Sequence, residues 1–395
     1  MSWGSIKFGE IAPAKALKAP NLKSTESVWQ LNLDMVEAQT GVIKSKKLGP
    51  LSEAGSSTHW FDDSHVLYSK LRPYLNKVVL PDSLGLATTE LVPMLPDPKR
   101  LDRRYLAYYL RSNSFVDWTS SQVAGEKMPR VSMKVFWDHE IPLPYPDDPE
   151  KSLKEQKRIA AILDKADGLR RKRKQAIQLA DDFLRAAFLD MFGDPVTNTK
   201  GFPIGTIREM VATANYGSSG KASEADGEYP ILRMGNITYQ GGWDFNSLKY
   251  IDLSEKDKTK YLVEKGDLLF NRTNSRALVG KSAVFESEIP MAIAGYLVRI
   301  RPNEKGNNYY IAGYLNSSHG KSTLLNMCKS IVGMANINAQ ELQDIKILIP
   351  PKCIQDDFEN IVLETRKKLE KSSESLYDLN VLFSSLSQKT FSGKL

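Results

Sequence analysis

Asn271-Arg-Thr-Asn-Ser-Arg276 places two amides and two guanidinium groups in six residues, directly after the apolar run Leu268-Leu-Phe270. Arginine reads guanine with two parallel hydrogen bonds and asparagine reads adenine, so Asn271, Arg272, Asn274 and Arg276 suit recognition of base edges. A solvated hairpin has the same composition. Upstream, Asn215-Tyr-Gly-Ser-Ser-Gly-Lys221 combines backbone freedom, hydroxyls and a cation. Such a loop can approach phosphates closely, which makes Tyr216, Ser218, Ser219 and Lys221 candidates; the alternative is a flexible surface turn. Arg233 and Asn236 lie in Leu232-Arg-Met-Gly-Asn-Ile237, where a structural arginine paired with a carboxylate is the competing reading. Lys281 adds a cation nearby. The first half of the chain offers Ser69, Lys70, Arg72, Tyr74 and Lys77 in one turn-rich stretch, and Lys127 and Arg130 in another, Gly125-Glu-Lys-Met-Pro-Arg130. Tyr74 and Leu75 could equally be core.

Other fragments imitate catalytic motifs and fall short. Gly280-Lys-Ser282 and Gly320-Lys-Ser-Thr323 resemble the end of a phosphate-binding P-loop, but Ser275 and Leu315 stand where its first glycine belongs. Asp147 with Glu155-Gln-Lys157 imitates a nuclease carboxylate–lysine set, yet Glu155 opens a helix. An adenine methyltransferase would need an Asn/Asp-Pro-Pro-aromatic clamp. The only Pro-Pro, Pro350-Pro351, is followed by Lys352 and Cys353. His59, His65, His139 and His319 have no metal spacing, and His59 and His65 read as surface residues. No nucleophile–base set stands out. These residues argue against an enzyme, a metal site or a bound cofactor.

The elements that carry these loops occur twice. Tyr105-Leu-Ala-Tyr-Tyr-Leu-Arg-Ser112 returns as Tyr310-Ile-Ala-Gly-Tyr-Leu-Asn-Ser317, at an offset of 205. Phe136-Trp-Asp-His-Glu-Ile-Pro-Leu-Pro144 returns as Leu342-Gln-Asp-Ile-Lys-Ile-Leu-Ile-Pro350, at 206. So long a period is not a solenoid repeat. It marks a duplicated domain, and two equivalent halves suit reading two places on one long partner. Short β-rich runs punctuated by Pro and Gly, with a helix around 102–112, indicate mixed strands and helices. The four segments are 1–150, 151–195, 196–351 and 352–395.

Residues 152–192 contain no proline and one glycine, Gly168. Ile162, Leu169, Ala176 and Phe183 recur every seven residues, the signature of a long amphipathic helix. At ~1.5 Å per residue it is a rod of ~60 Å. Residues 354–390 repeat it, with Val362, Leu369, Leu376 and Phe383 in register. An apolar stripe needs a partner, and the other rod, packed antiparallel, is the simplest; each rod lying on its own domain is the alternative. The net charge is +7. Residues 151–192 hold eleven basic and six acidic residues, including Arg170-Arg-Lys-Arg-Lys174, while 352–395 are neutral with seven of each. That run could face DNA phosphates or an acidic partner, or be a solvated face. Two cysteines cannot staple a fold, so a reducing cytoplasm is expected, and no apolar run reaches the ~18 residues of a membrane span.

Glu155-Gln-Lys-Arg-Ile-Ala-Ala-Ile-Leu163, a long helix, Phe192-Gly-Asp-Pro195 and Gly201-Phe-Pro203 together resemble the central conserved region of type I restriction–modification specificity subunits. Tyr229-Pro-Ile-Leu-Arg-Met-Gly-Asn-Ile237 and Lys265-Gly-Asp-Leu-Leu-Phe270 resemble segments of that family's target recognition domains. The likeness covers nearly the whole chain in the family's order. It implies an α+β chain of two mixed α/β target recognition domains, each followed by a long helix, the helices forming an antiparallel coiled coil. It further implies a non-catalytic subunit that binds a bipartite double-stranded DNA target. Two modification subunits, which carry S-adenosylmethionine and methylate adenine, and a restriction subunit would dock on it. An assembly scaffold without sequence readout is the rival. One departure is Ile354-Gln-Asp-Asp-Phe358, where the first rod has Glu-Gln-Lys-Arg-Ile; it points to weaker or diverged docking of one modification subunit.

Overall fold

The computed structural model describes residues 2–125, 127–328 and 333–394. Contacts divide the chain into two units, 1–174 with 374–395, and 175–373. Both divisions fall inside long helices, Pro149–Phe192 and Lys352–Phe391. The sequence boundaries set each rod apart as a segment; contacts instead assign the two halves of each rod to different units, because each half has its own apolar neighbours. The first rod also starts earlier than its motif suggests, so Glu155 lies within the helix, paired with Arg158 at 2.6 Å.

In the first unit, Ser27–Leu31 lies antiparallel to Lys47–Pro50 and parallel to Gly85–Thr88, whose far side carries Thr58–Phe61. A second sheet sets Val66–Ser69 between Val78–Val79 and Leu91–Met94. Val66, Leu67, Tyr68 and Ser69 are all buried, so this strand has no solvent face. Trp3–Lys7 pairs with Glu140–Pro144 and closes the domain on its own exit. Phe8, Tyr68, Phe115 and Phe136 fill the core with ring centroids 4.7 to 6.0 Å apart, mostly edge-on or tilted as aromatic quadrupoles prefer.

The second unit rebuilds this frame. Tyr229–Leu232 lies antiparallel to Lys249–Ile251 and parallel to Met291–Ile293, whose far side carries Leu262–Val263. Leu268–Asn271 sits between Ser282–Val284 and Leu297–Pro302, and Val211–Tyr216 extends that sheet at its edge. Ile204–Thr206 pairs with Lys346–Leu348.

Single hydrogen bonds are repeated as well. Tyr105 Oη donates to Pro142 O at 2.8 Å, and Tyr310 Oη to Leu348 O at 2.7 Å. Asp102 and Asn307 cap the helices Arg103–Leu110 and Asn308–Asn316, accepting backbone N–H groups that would otherwise be orphaned. Fully buried Gln156 and Gln355 donate to the equivalent carbonyls of Arg100 and Lys305, each at 2.9 Å. A buried amide without a partner is costly, so these glutamines fix each rod to its domain. The departure at 354–358 therefore spares the anchor. Phe358 and Val362 take the buried places that Ile159 and Leu163 hold in the first rod.

Each unit holds a piece of both rods. In the first, Ile159 and Leu163 share a core with Phe383, Leu386 and Phe391, and Arg170 Nε donates to Asn380 Oδ1 at 2.8 Å. In the second, Phe188 and Phe192 meet Phe358 at 5.4 and 5.5 Å. Gly313 makes room for that cluster. A Cβ there would lie 2.7 Å from Phe188 Cδ2 and 3.0 Å from Phe358 Cε1. Gly313→Ala should therefore cost about 1–3 kcal/mol by overpacking. Gly168→Ala, where an added methyl meets nothing within 4 Å, should leave stability equal or slightly higher. Thermal midpoints of the two variants check this; equal midpoints would show that the Phe188 cluster yields freely.

Candidate nucleic-acid interface

The stretch after Phe270 is not a free hairpin. Thr273–Ser275 pairs antiparallel with Met334–Asn336, so the core strand Leu268–Asn271 runs on into a two-stranded ribbon. Arg272 stands where core becomes ribbon. Its Nε donates to Asn336 Oδ1 at 3.1 Å and its Nη1 to Gly295 O at 3.2 Å, and its guanidinium lies 4.7 Å from the Tyr216 ring centroid. Thr273 Oγ1 donates to the same Asn336 oxygen at 2.9 Å. Tyr216 Oη accepts the Ala339 N–H at 3.0 Å. Arg272 thus keeps free N–H donors on a side chain already held in place. Tyr216, Tyr296 and Met334 stand exposed around it, by 40%, 48% and 55%. Donors, an amide and exposed aromatic faces beside a two-stranded ribbon are what groove readout and base stacking require.

The first unit has an equivalent pairing with other side chains. Val123–Ala124 pairs with Arg130–Val131, and Leu71 bridges Arg130 just as Thr273 meets Asn336. Arg130 grips Glu90, with Nε at 3.1 and 3.2 Å and Nη2 at 2.8 Å. Those hydrogen bonds hold the Glu90 carboxyl below the usual carboxylate range. By the repeat offset of 206, Glu90, Met128 and Arg130 correspond to Tyr296, Met334 and Asn336. Lys70 matches Arg272 by pairing, since its N–H donates to Glu90 O as that of Arg272 does to Tyr296 O. Met128 is 48% exposed, like its counterpart. Arg72 and Tyr74 are exposed beside this ribbon, Arg72 with its N–H on Pro129 O at 2.8 Å. Lys127 is exposed, Lys70 is half-buried, and Glu126 of that loop lies outside the described residues.

The remaining sequence candidates divide by burial. Ser219, Lys221 and Arg276 are exposed, and Asn274 is half-buried with Oδ1 accepting the Ser275 N–H. Ser218 is buried: its N–H donates to Ile293 O and its carbonyl accepts the Gly295 N–H, both at 2.7 Å. The 215–221 loop is thus pinned to a strand rather than flexible. Asn236 is buried, accepting the Arg233 N–H at 2.8 Å and donating to Asp244 O at 2.9 Å; half-buried Arg233 reaches Ser247 O rather than a carboxylate. Asn271 is fully buried and donates to Leu278 O. Lys281 donates to Met234 O and Ile237 O, Ser69 to Leu71 O, and Lys77 to Leu33 O. Composition cannot separate these inward-facing groups from outward ones, because a buried polar group selects a bonding partner and not a residue type. Tyr296, Asn336, Met334 and Glu90 stand in no basic cluster that would mark them in sequence, and Met128 is an apolar residue within one. The offset of 206 links them pairwise and was the signal that could have found them.

Much of the mid-rod cationic run has partners within the first unit. Asp167, nearly buried, takes Arg171 at 2.8 Å and Arg170 at 3.4 Å, and Lys174 reaches Glu37 at 2.6 Å. His65 is buried, not a surface residue, and bonds Asp62 and the Lys15 carbonyl. Among the described residues no cluster could hold a metal ion, and no helix is long and apolar enough to cross a membrane.

Comparison with known proteins agrees with this architecture. A family model described as the type I restriction modification DNA specificity domain matches residues 85–179 and 202–370. The EcoKI specificity subunit of Escherichia coli (strain K12) is 24% identical over 310 residues, 74% of this chain and 65% of that protein. The EcoDI specificity subunit of Escherichia coli is 29% identical over 153 residues, 38% of this chain and 32% of that protein. The chain thus spans less than two thirds of the length of these curated relatives. The crystal structure of a type I restriction-modification S subunit from M. genitalium covers 99% of this chain and 96% of its own, with a TM-score of 0.61 at 15% identity. A structure described for complex assembly and conformational transition of the type I R-M system gives a TM-score of 0.55 at 18% identity, covering 100% and 98%. At such identities the likeness is one of fold.

Proposed function

Because this chain belongs to the type I restriction modification DNA specificity domain family, we propose that it selects the DNA sequence on which a type I restriction–modification complex acts. It reads two separated parts of a double-stranded target, one per unit, and carries no catalytic centre. Two modification subunits bring S-adenosylmethionine and methylate adenine, and a restriction subunit joins for cleavage. The rods pack as an antiparallel coiled coil that sets the gap between the two parts. Two free cysteines, one buried and one exposed, suit a reducing cytoplasm.

One observation supports this reading above the others. The two ribbons share a register and differ in the side chains they present: Lys70, Glu90 and Arg130 on one, Arg272, Tyr296 and Asn336 on the other. A scaffold would have no use for one frame with two surfaces; a reader of two different DNA words would. The test is to map N6-methyladenine in DNA from cells that express this chain with its modification subunit. A two-part motif, lost when this chain is omitted, is expected. Methylation at the same sites without this chain would overturn the reading.

A further inference from the structure

The two fragments that imitate a P-loop, Gly280-Lys-Ser282 and Gly320-Lys-Ser-Thr323, lie 40 residues apart in sequence. In the second unit they converge. Gly280 and Lys281 from one and Lys321 and Ser322 from the other, with Ser318, contribute to one cavity of about 420 Å³, with Arg276 and Tyr239 at its wall. Gly280 permits the approach. Its φ is +84°, and a Cβ there would stand 2.6 Å from Leu324 Cδ1 on the helix Ser318–Met327. Among the described residues the lining holds three basic side chains, Arg276, Lys281 and Lys321, two serine hydroxyls, and no carboxylate.

The two lysines are positioned and incompletely satisfied. Lys321 Nζ donates to Tyr239 O at 2.9 Å and sits 3.5 Å over the Tyr239 ring, which leaves two N–H donors. Lys281 Nζ donates to the Met234 and Ile237 carbonyls, which leaves one. Arg276 is exposed and makes no hydrogen bond or ion pair among the described residues. Burial, with Arg185 nearby, pushes Lys321 down to about 8, and burial also lowers Lys281. Neither lysine has the anion that would offset its desolvation. Fixed, partly dehydrated cations beside hydroxyls in a carboxylate-free cavity match the donors that grip phosphate.

We propose that this cavity is a phosphate site, held by Arg276, Lys321 and Lys281 and separate from the base-reading ribbon. A DNA backbone phosphate, which rests on the function proposed above, and a free phosphate share this chemistry. The full-length chain and its Arg276→Gln/Lys321→Gln variant are compared in two arms. The first measures affinity for a 40-base-pair mixed-sequence duplex against salt. Each lost phosphate contact lowers the log–log slope by about 0.9. A fall of about 1 to 2, with affinity roughly tenfold lower at moderate salt, identifies a backbone phosphate. The second follows the thermal midpoint with inorganic phosphate and pyrophosphate. Stabilisation of the native chain alone, with the duplex slope unchanged, identifies a free anion. If neither arm separates native from variant, the proposal is overturned. Should the double variant fold poorly, Arg276→Gln alone decides, since Arg276 supports nothing in the fold. If the native chain binds no duplex, the functional reading fails, and the phosphate arm still judges the cavity.

Discussion

Converting the second ribbon to the side chains of the first, by Arg272→Lys, Tyr296→Glu and Asn336→Arg, is expected to change one half of the methylated DNA sequence and leave the other half intact. The three positions correspond to Lys70, Glu90 and Arg130 and lie on a ribbon of matching register. None of them is buried, so the fold should tolerate the exchange and the thermal midpoint should move little. Arg272 is the most consequential. Lysine has no planar fork and stacks poorly, so the held geometry over Tyr216 disappears along with any bidentate contact. A good bidentate base contact discriminates by ~1–3 kcal/mol, about five- to 150-fold. Methylome sequencing of cells carrying the variant reads the outcome directly. One altered half-site beside one preserved half-site is the expected pattern. An unchanged motif would remove the ribbon from recognition, and loss of both halves at once would mean that the ribbons do not act independently.

The frame of this chain was legible in sequence because backbone geometry repeats with residue type. Tyr105 and Tyr310, Asp102 and Asn307, and Phe136 and Leu342 sit at constant offsets, and each pair has one structural role. The rods were legible for the same reason, since their apolar period reports helix geometry. The reading surface was not. Asn271 and Arg272 are neighbours of similar polarity, yet the first is buried under Leu278 and the second stands at the surface. The core strand Leu268–Asn271 is buried along its whole length, and the surface begins one residue later, where the chain turns to its pairing with Met334–Asn336, some 60 residues away. Asn336 escaped notice because nothing local marks it; its meaning comes from Arg272 and Thr273 across the ribbon. Gln355 gives the converse case. The residues around it changed, and the contact that matters, to Lys305 O, did not.

Lengthening both rods should lengthen the gap in the recognised DNA. Seven residues inserted after Lys174, and seven between residues 373 and 374, keep the heptad register of each helix at the points where the two units divide. The insertion adds ~10 Å along a helix axis. DNA advances ~3.4 Å per base pair, so the expected spacer is longer by about three base pairs. The rotation works against it. Three base pairs turn the duplex by ~100°, whereas a heptad in a coiled coil turns its ends far less. The new site is therefore reached with DNA or rods twisted away from their rest state, and methylation should be weaker than native. An insertion in one rod alone breaks the pairing of the two stripes and should lose most methylation without defining a new spacer. The anchors Gln156 and Gln355 and the ribbons are untouched in every variant, so both half-sequences should persist. A changed half-sequence would mean that the rods contribute to readout. An unchanged gap would mean that something other than rod length sets it.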